Sequence, residues 1–198
     1  MVETQTRVTT IIPKERIGVL VGPKGSVKTR IQDKLFVDLT IDSESGNVDI
    51  ALRKDAPDPS SALRAKDLVQ AIGRGFSPDR AFNLMIEEFT LGIIDLHEFF
   101  GKNEAEIRRV DGRIIGREGK TRRILEQLTG TQVSVSGHTV SIIGTYEGVS
   151  TAKDALEKLI SGRTHGTVYK FLRKKRAETK KEKALGLWEG SRPSPRKE

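Results

Sequence analysis

Two spacings of apolar residues alternate along this chain. Every-second-residue patterns predict strands at Arg7–Ile12, Val37–Ile41 and Val48–Leu52, with a Ser45-Gly46 turn joining the last two. Helical spacing follows, where Ala62, Ala65, Val69 and Ile72 form one face. Farther on, Thr90–Phe100 predicts a strand and Glu104–Ile115 a helix. Thr131–Val135 and Thr139–Ile143 predict half-buried strands around the turn Ser136-Gly137-His138. A second amphipathic helix carries Val149, Ala152, Leu156, Leu159 and Ile160. Helix-like stretches at Ser26–Leu35 and Lys120–Thr129 precede the two strand pairs. The order strand, helix, helix, strand, strand, helix therefore occurs twice.

The same short loop splits each helix pair. It reads Gly22-Pro23-Lys24-Gly25 in the first copy and Gly116-Arg117-Glu118-Gly119 in the second. Aligned on the glycines, Lys28 coincides with Arg122 and Ile31 with Leu125. Glycine lets a backbone approach a phosphate with no Cβ in the way. The last glycine opens a helix, whose free N–H groups and positive dipole end attract an anion. Lys24, Lys28 and Arg30 in the first copy, and Arg117, Lys120, Arg122 and Arg123 in the second, are the candidate cations. Ile114, Ile115, Ile124 and Val133 are candidate groove residues for bases, with Leu20, Val21, Val27 and Leu39 as their first-copy counterparts. Pro23 lacks an N–H, so the first loop has one donor fewer. Glu118 is counted with the RNA-binding residues of the second loop, although a carboxylate beside a phosphate is repulsive: it either points away or accepts a bond from a base. On balance the second loop is expected to be the tighter site.

Charge sharpens this picture. The net charge is +8, all of it in residues 163–198, so residues 1–162 sum to zero. Within that neutral body, two windows are basic, 14–34 and 108–123, and each contains one glycine loop. Two local basic windows suggest two sites for an anionic ligand. Hydrophobic residues are 35% and aromatics only 5%, which predicts aliphatic cores and argues against a stacking-aromatic sheet surface of the RRM kind. There is no cysteine and no long apolar run for a membrane span, and the first residues lack a secretory pattern, so a cytoplasmic location is expected. Gly119-Lys120-Thr121 imitates a phosphate-loop NTPase, but Ile114 stands where that motif needs glycine. The three histidines, His97, His138 and His165, are far apart with no ligand spacing, so neither a metal, a cofactor nor an enzymatic site is expected. Tyr169–Leu187 reads as a helix anchored by Phe171 and Leu172, and residues 190–197 read as disordered. The basic tail is either a solvated helix or an extra phosphate contact. Trp188 is either a partner anchor or simply exposed.

A Gly-x-x-Gly loop between helices in a repeated βααββα order resembles the type I KH domain, over roughly residues 6–74 and 88–162. The resemblance implies an α+β fold of two KH domains, at 1–75 and 89–162, joined by a connector at 76–88 and followed by a basic extension at 163–198. It also implies that each loop grips the backbone of unpaired nucleotides. The closing segment Gly166-Thr-Val-Tyr-Lys-Phe-Leu-Arg, with Ser77-Pro-Asp-Arg-Ala-Phe-Asn-Leu-Met and Ile93-Ile-Asp-Leu, is similar to the partner-of-Nob (Dim-two) ribosome-biogenesis factors. That narrower resemblance implies binding near the 3′ end of small-subunit rRNA, beside a PIN-domain endonuclease, and contact with translation-initiation factors. A rival reading makes the KH folds protein-docking scaffolds, with the apolar stretch Phe89–Phe100 and Phe82 as the dock.

Overall fold

A computed structural model describes residues 6–190 of the chain. The first copy comprises β1 (Arg7–Ile11), α1 (Lys14–Val21), α2 (Ser26–Leu35), β2 (Val37–Ile41), β3 (Asn47–Leu52) and α3 (Ser61–Gly73). The second comprises β4 (Phe89–Asp95), α4 (Glu104–Ile115), α5 (Lys120–Thr129), β5 (Gln132–Ser136), β6 (Thr139–Thr145) and α6 (Tyr146–Ile160). A long helix, α7 (His165–Gly190), follows. Each copy folds into a three-stranded antiparallel sheet, ordered β1-β3-β2 and β4-β6-β5, with the third strand in the middle.

Helices cover one face of each sheet, and the apolar spacing explains which. In α3 the predicted face, Ala62, Ala65, Val69 and Ile72, is fully buried, joined by Leu68 and Ala71. Val48 and Ile50 of β3 meet it from the sheet. Gly73 lets α3 approach β1 closely, because a Cβ there would sit 2.6 Å from Ile12 Cγ2. The second core repeats the plan, with Val149, Ala152, Leu156 and Leu159 of α6 packed on Val140 and Ile142 of β6. Its helices start where side chains accept orphan N–H groups: Asn103 from Glu106 at α4, and Thr145 from Gly148 at α6.

The expected strand Thr90–Phe100 ends early, at Asp95. The Asp95 carboxylate accepts the His97 N–H at 2.9 Å and turns the chain into one helical turn, His97–Phe100. Helix α7 begins at His165 rather than Tyr169, and Val168 and Leu172 are buried in the second core. Phe171 is half-buried beneath Lys158, whose Nζ lies 4.5 Å from the ring centre. The tail expected to be disordered lies, from residue 191 on, outside the described residues, as does the side chain of Trp188.

The copies differ in what covers the other face of the sheet. In the first, Thr9, Asp49 and Thr40 form an exposed row across the three strands. In the second, that face meets the first copy and the segment after α3. Ile143 of β6 joins the cluster of Phe76, Phe82 and Leu84. Ser134 Oγ donates to the Arg74 carbonyl at 3.1 Å, and Arg80 pairs with Glu126 and reaches Gln132. Six of the seven β6 residues are buried as a result. Of the two strands expected to be half-buried, β6 is thus covered on both faces, while Gln132, Val135 and Ser136 of β5 stay partly exposed. Burial of Ile143 and Phe76 stabilises the junction by about 1.5–3 kcal/mol each. Among the described residues no helix is long and apolar enough to cross a membrane.

Candidate nucleic-acid interface

The two glycine loops adopt one backbone conformation. Gly22 has φ 72° and ψ 174°, and Gly116 has 71° and 173°. Lys24 and Glu118, third in each loop, sit at φ 52° and 53°. Gly25 and Gly119 are left-handed at φ 79° and 73°. Each loop closes on itself: Gly25 N–H donates to the Gly22 carbonyl and Gly119 N–H to the Gly116 carbonyl, both at 3.1 Å. The next helix then begins, α2 or α5, with its N-terminus at the loop.

The glycines divide the work unequally. A Cβ on Gly22 would lie 2.5 Å from Val27 Cγ2, and one on Gly116 only 2.2 Å from Thr121 Oγ1. The first glycine of each loop is therefore required by packing against the following helix. A Cβ on Gly25 meets nothing within 4 Å, and one on Gly119 meets only Arg122 Nη2, at 3.9 Å. The last glycine faces open space, where an anion could approach the backbone. In the second copy a guanidinium already stands beside that space. Arg122 Nε is buried without a hydrogen-bond partner, leaving donor capacity unused.

The structure sorts the remaining sequence candidates. Lys24, Arg117, Glu118 and Lys120 are exposed at the loops, with Pro23 beside Lys24, and Lys28 is half-buried on α2. The Glu118 carbonyl accepts from Arg123 Nη2 at 2.9 Å, so Arg123 braces the loop. Arg30 is turned elsewhere. Its guanidinium carbon stacks 3.9 Å above Phe82, and it pairs with Asp79 at 3.8 Å. Ile114 and Val133 are fully buried in the second core, as Leu20 and Leu39 are buried in the first. Ile114 and Val133 join the second core because α4 packs on α6 and β5 packs on α5. The apolar side chains beside the loops that solvent still reaches are Ile115 and Ile124, and Val21 and Val27.

Sequence reasoning missed the brace behind the second loop. Tyr169 OH donates to Thr121 Oγ1 at 3.1 Å, the same hydroxyl that faces Gly116. The His165 ring donates from Nε2 to the Arg113 carbonyl at 2.9 Å, and Arg113 Nη2 donates to the Arg163 carbonyl. These contacts fix the start of α7 behind the loop, with Lys170, Arg173, Lys174, Lys175 and Arg176 exposed along it. The i, i+4 pair Val168 and Leu172 is the signal that could have revealed it. One turn before the loop, burial and then nearby Glu104 push the Asp111 carboxyl up to about 6.

The histidines do not all lie apart. Strand pairing of β4 with β6 brings His138 against His97, with ring centres 4.0 Å apart and Asp95 beside both. His165 remains separate, on α7.

Comparisons with known proteins agree with this geometry. The family model of the eukaryotic type KH-domain (KH-domain type I) matches residues 90–177, which takes in the start of α7. A KH domain-containing protein of Methanocaldococcus jannaschii is 45% identical over 177 residues, covering 89% of this chain and 77% of its own length. The pre-rRNA-processing protein pno1 of Schizosaccharomyces pombe is 26% identical over 170 residues, covering 85% of this chain and 70% of its own. Among solved structures, the complex of a/eIF2alpha, aDim2p and rRNA from Pyrococcus horikoshii contains a chain 44% identical to this one. Its TM-score is 0.84, and the match covers 89% of this chain and 97% of that one.

Proposed function

Since the chain belongs to the Pno1 and Dim2 family of KH-domain proteins, we propose that it binds single-stranded RNA of the small ribosomal subunit, near its 3′ end, and acts as a positioning factor in pre-rRNA processing. Both copies are KH domains in tandem in this reading, at 1–75 and 89–162, with 76–88 as connector. The extension from residue 163, with α7 in it, is a brace and an added basic surface. The RNA backbone lies across the open side of Gly25 or Gly119. Lys24, Lys28, Arg117, Lys120 and Arg122 neutralise its phosphates, and Ile115 and Ile124 contact bases. The protein makes no covalent change to the RNA. A translation-initiation factor and a PIN-domain endonuclease are the protein partners this reading carries, inside the cell.

The observation that carries the proposal is the loop pair: one backbone conformation held twice, with its last glycine open and a cation beside it in the second copy. The presence of Arg122 there favours the second loop as the tighter site.

The test is fluorescence anisotropy with labelled RNA of the small-subunit 3′ region. The natural chain is compared with Arg117→Asp/Lys120→Asp and with Lys174→Gln/Lys175→Gln/Arg176→Gln. A chain cut at residue 162 is unsuitable, because it would strip Val168 and Leu172 from the core. The loop pair should cost most of the affinity, and each lost phosphate contact should reduce the log–log salt slope by about 0.7. If the helix variant alone abolished binding, α7 would be the RNA contact and the loops would be better assigned to protein docking.

A further inference from the structure

We propose that Asp95, His97 and His138 form a binding site for a divalent transition-metal ion of the zinc, cobalt or nickel type. Their donor atoms lie within 4.8 Å of one another. His97 Nδ1 is 3.7 Å from Asp95 Oδ1, and His138 Nε2 is 3.9 Å from Asp95 Oδ2. Neither distance is a hydrogen bond, since charge-assisted N–H···O bonds close to about 2.7–2.9 Å. Three polar groups therefore converge without bonding one another. Donors arranged tetrahedrally around zinc at about 2.0–2.1 Å stand about 3.4 Å apart. The two His–Asp spacings, each to a different carboxylate oxygen, exceed that by a few tenths of an ångström, and the three donors taken together, within 4.8 Å, close on one ion only after a side chain rotates.

The backbone builds this convergence. Asp95 ends β4 opposite Thr139, the first residue of β6. The Leu96 N–H donates to the His138 carbonyl at 2.8 Å, which sets the turn residue His138 beside the start of the next helical turn. The His97 N–H donates to Asp95 Oδ1 at 2.9 Å, which fixes the carboxylate. The rings are stacked, 14° from parallel, so one must rotate for both to aim at a common point. Each side chain is roughly one-third exposed, and imidazole χ2 wells are broad, so that rotation is accessible.

Two imidazoles and one carboxylate suit the borderline metals rather than magnesium or calcium, which prefer all-oxygen shells. Three protein donors leave a fourth position for water. A bound ion would tie the end of β4 to the β5–β6 turn.

The test uses the untagged full chain, freed of metal by a chelator. Cobalt(II) chloride is titrated while its visible d–d absorption is followed, and zinc is then added as a competitor. Saturation at one equivalent, with zinc abolishing the absorption, is expected. His97→Ala and His138→Ala should each weaken binding by at least about 10-fold, because even outer-shell changes cost 10–100-fold. His165→Ala should leave it unchanged. Circular dichroism checks that each variant is folded, and Asp95→Asn, which keeps an oxygen to accept the His97 N–H, provides a third probe. Non-saturating absorption, or saturation unchanged in both His97→Ala and His138→Ala, would overturn the proposal.

Discussion

Replacing Gly116 by alanine should damage the fold, whereas replacing Gly119 should leave it largely intact. Gly116 holds φ 71° and ψ 173°, a region essentially reserved for glycine, where a side chain costs about 1–3 kcal/mol. Its new Cβ would also meet Thr121 Oγ1 at 2.2 Å, Thr121 Cβ at 2.8 Å and the Thr121 backbone nitrogen at 2.9 Å. The backbone atom cannot swing aside, and overpacking of this kind adds about 1–3 kcal/mol. The sum is about 4 kcal/mol. Gly119 is in the ordinary left-handed region with only one side-chain nitrogen near, so its alanine variant should lose about 1 kcal/mol. Domains of this kind are stable by about 5–15 kcal/mol, so a difference of about 3 kcal/mol is easily resolved in urea unfolding followed by circular dichroism. Gly116→Ala should also loosen α7, because Tyr169 bonds the hydroxyl that must move. Equal unfolding midpoints for the two variants would refute the division of roles between the glycines.

Two further outcomes follow from the loop and its flank. Glu118→Gly should stabilise the chain by about 0.5–1 kcal/mol, because φ 53° strains a non-glycine residue, and it should tighten RNA binding by removing a carboxylate beside the proposed phosphate site; unfolding and anisotropy check the two parts separately. Asp111→Asn should stabilise at pH 7.5 but not at pH 4. The Asp111 carboxyl is raised from 3.8 to about 6 in the folded state, so folding takes up a proton between those values and stability falls as pH rises through that window. The full shift would be worth about 3 kcal/mol, and screening by the solvent that still reaches the group reduces this to about 1 kcal/mol. Unfolding midpoints of both chains across that range give the measurement, and a gain of the same size at pH 4 would contradict it.

The element order and the loops were legible because their signals are local. A period of two or of three to four names the face that Val69 or Val140 presents, whatever lies across from it. What the sequence hid depends on partners distant in the chain. Ile114 and Val133 look the same as Ile115 and Ile124 until the helices are packed. Arg30 reads as a free cation until Phe82 is placed beneath it. Alternation reads β5 and β6 as half-buried, yet Ser134 and Ser141 are buried as well. His97 and His138 meet only because strand register joins them. The early end of β4 turns on one carboxylate accepting one N–H, which no periodicity records.

The shared junction sets a timetable for synthesis. Phe76, Phe82 and Leu84 complete their cluster only when Ile143 arrives, and Ile143 lies on the middle strand of the second sheet. On the ribosome, the first half emerges with an unfinished greasy patch and must wait for most of the second half before closing it. Stalled or truncated chains ending before β6 would carry that patch into the cell, where it invites aggregation. The two halves are thus not interchangeable modules, and a chaperone that shields nascent chains should bind this one between those two moments.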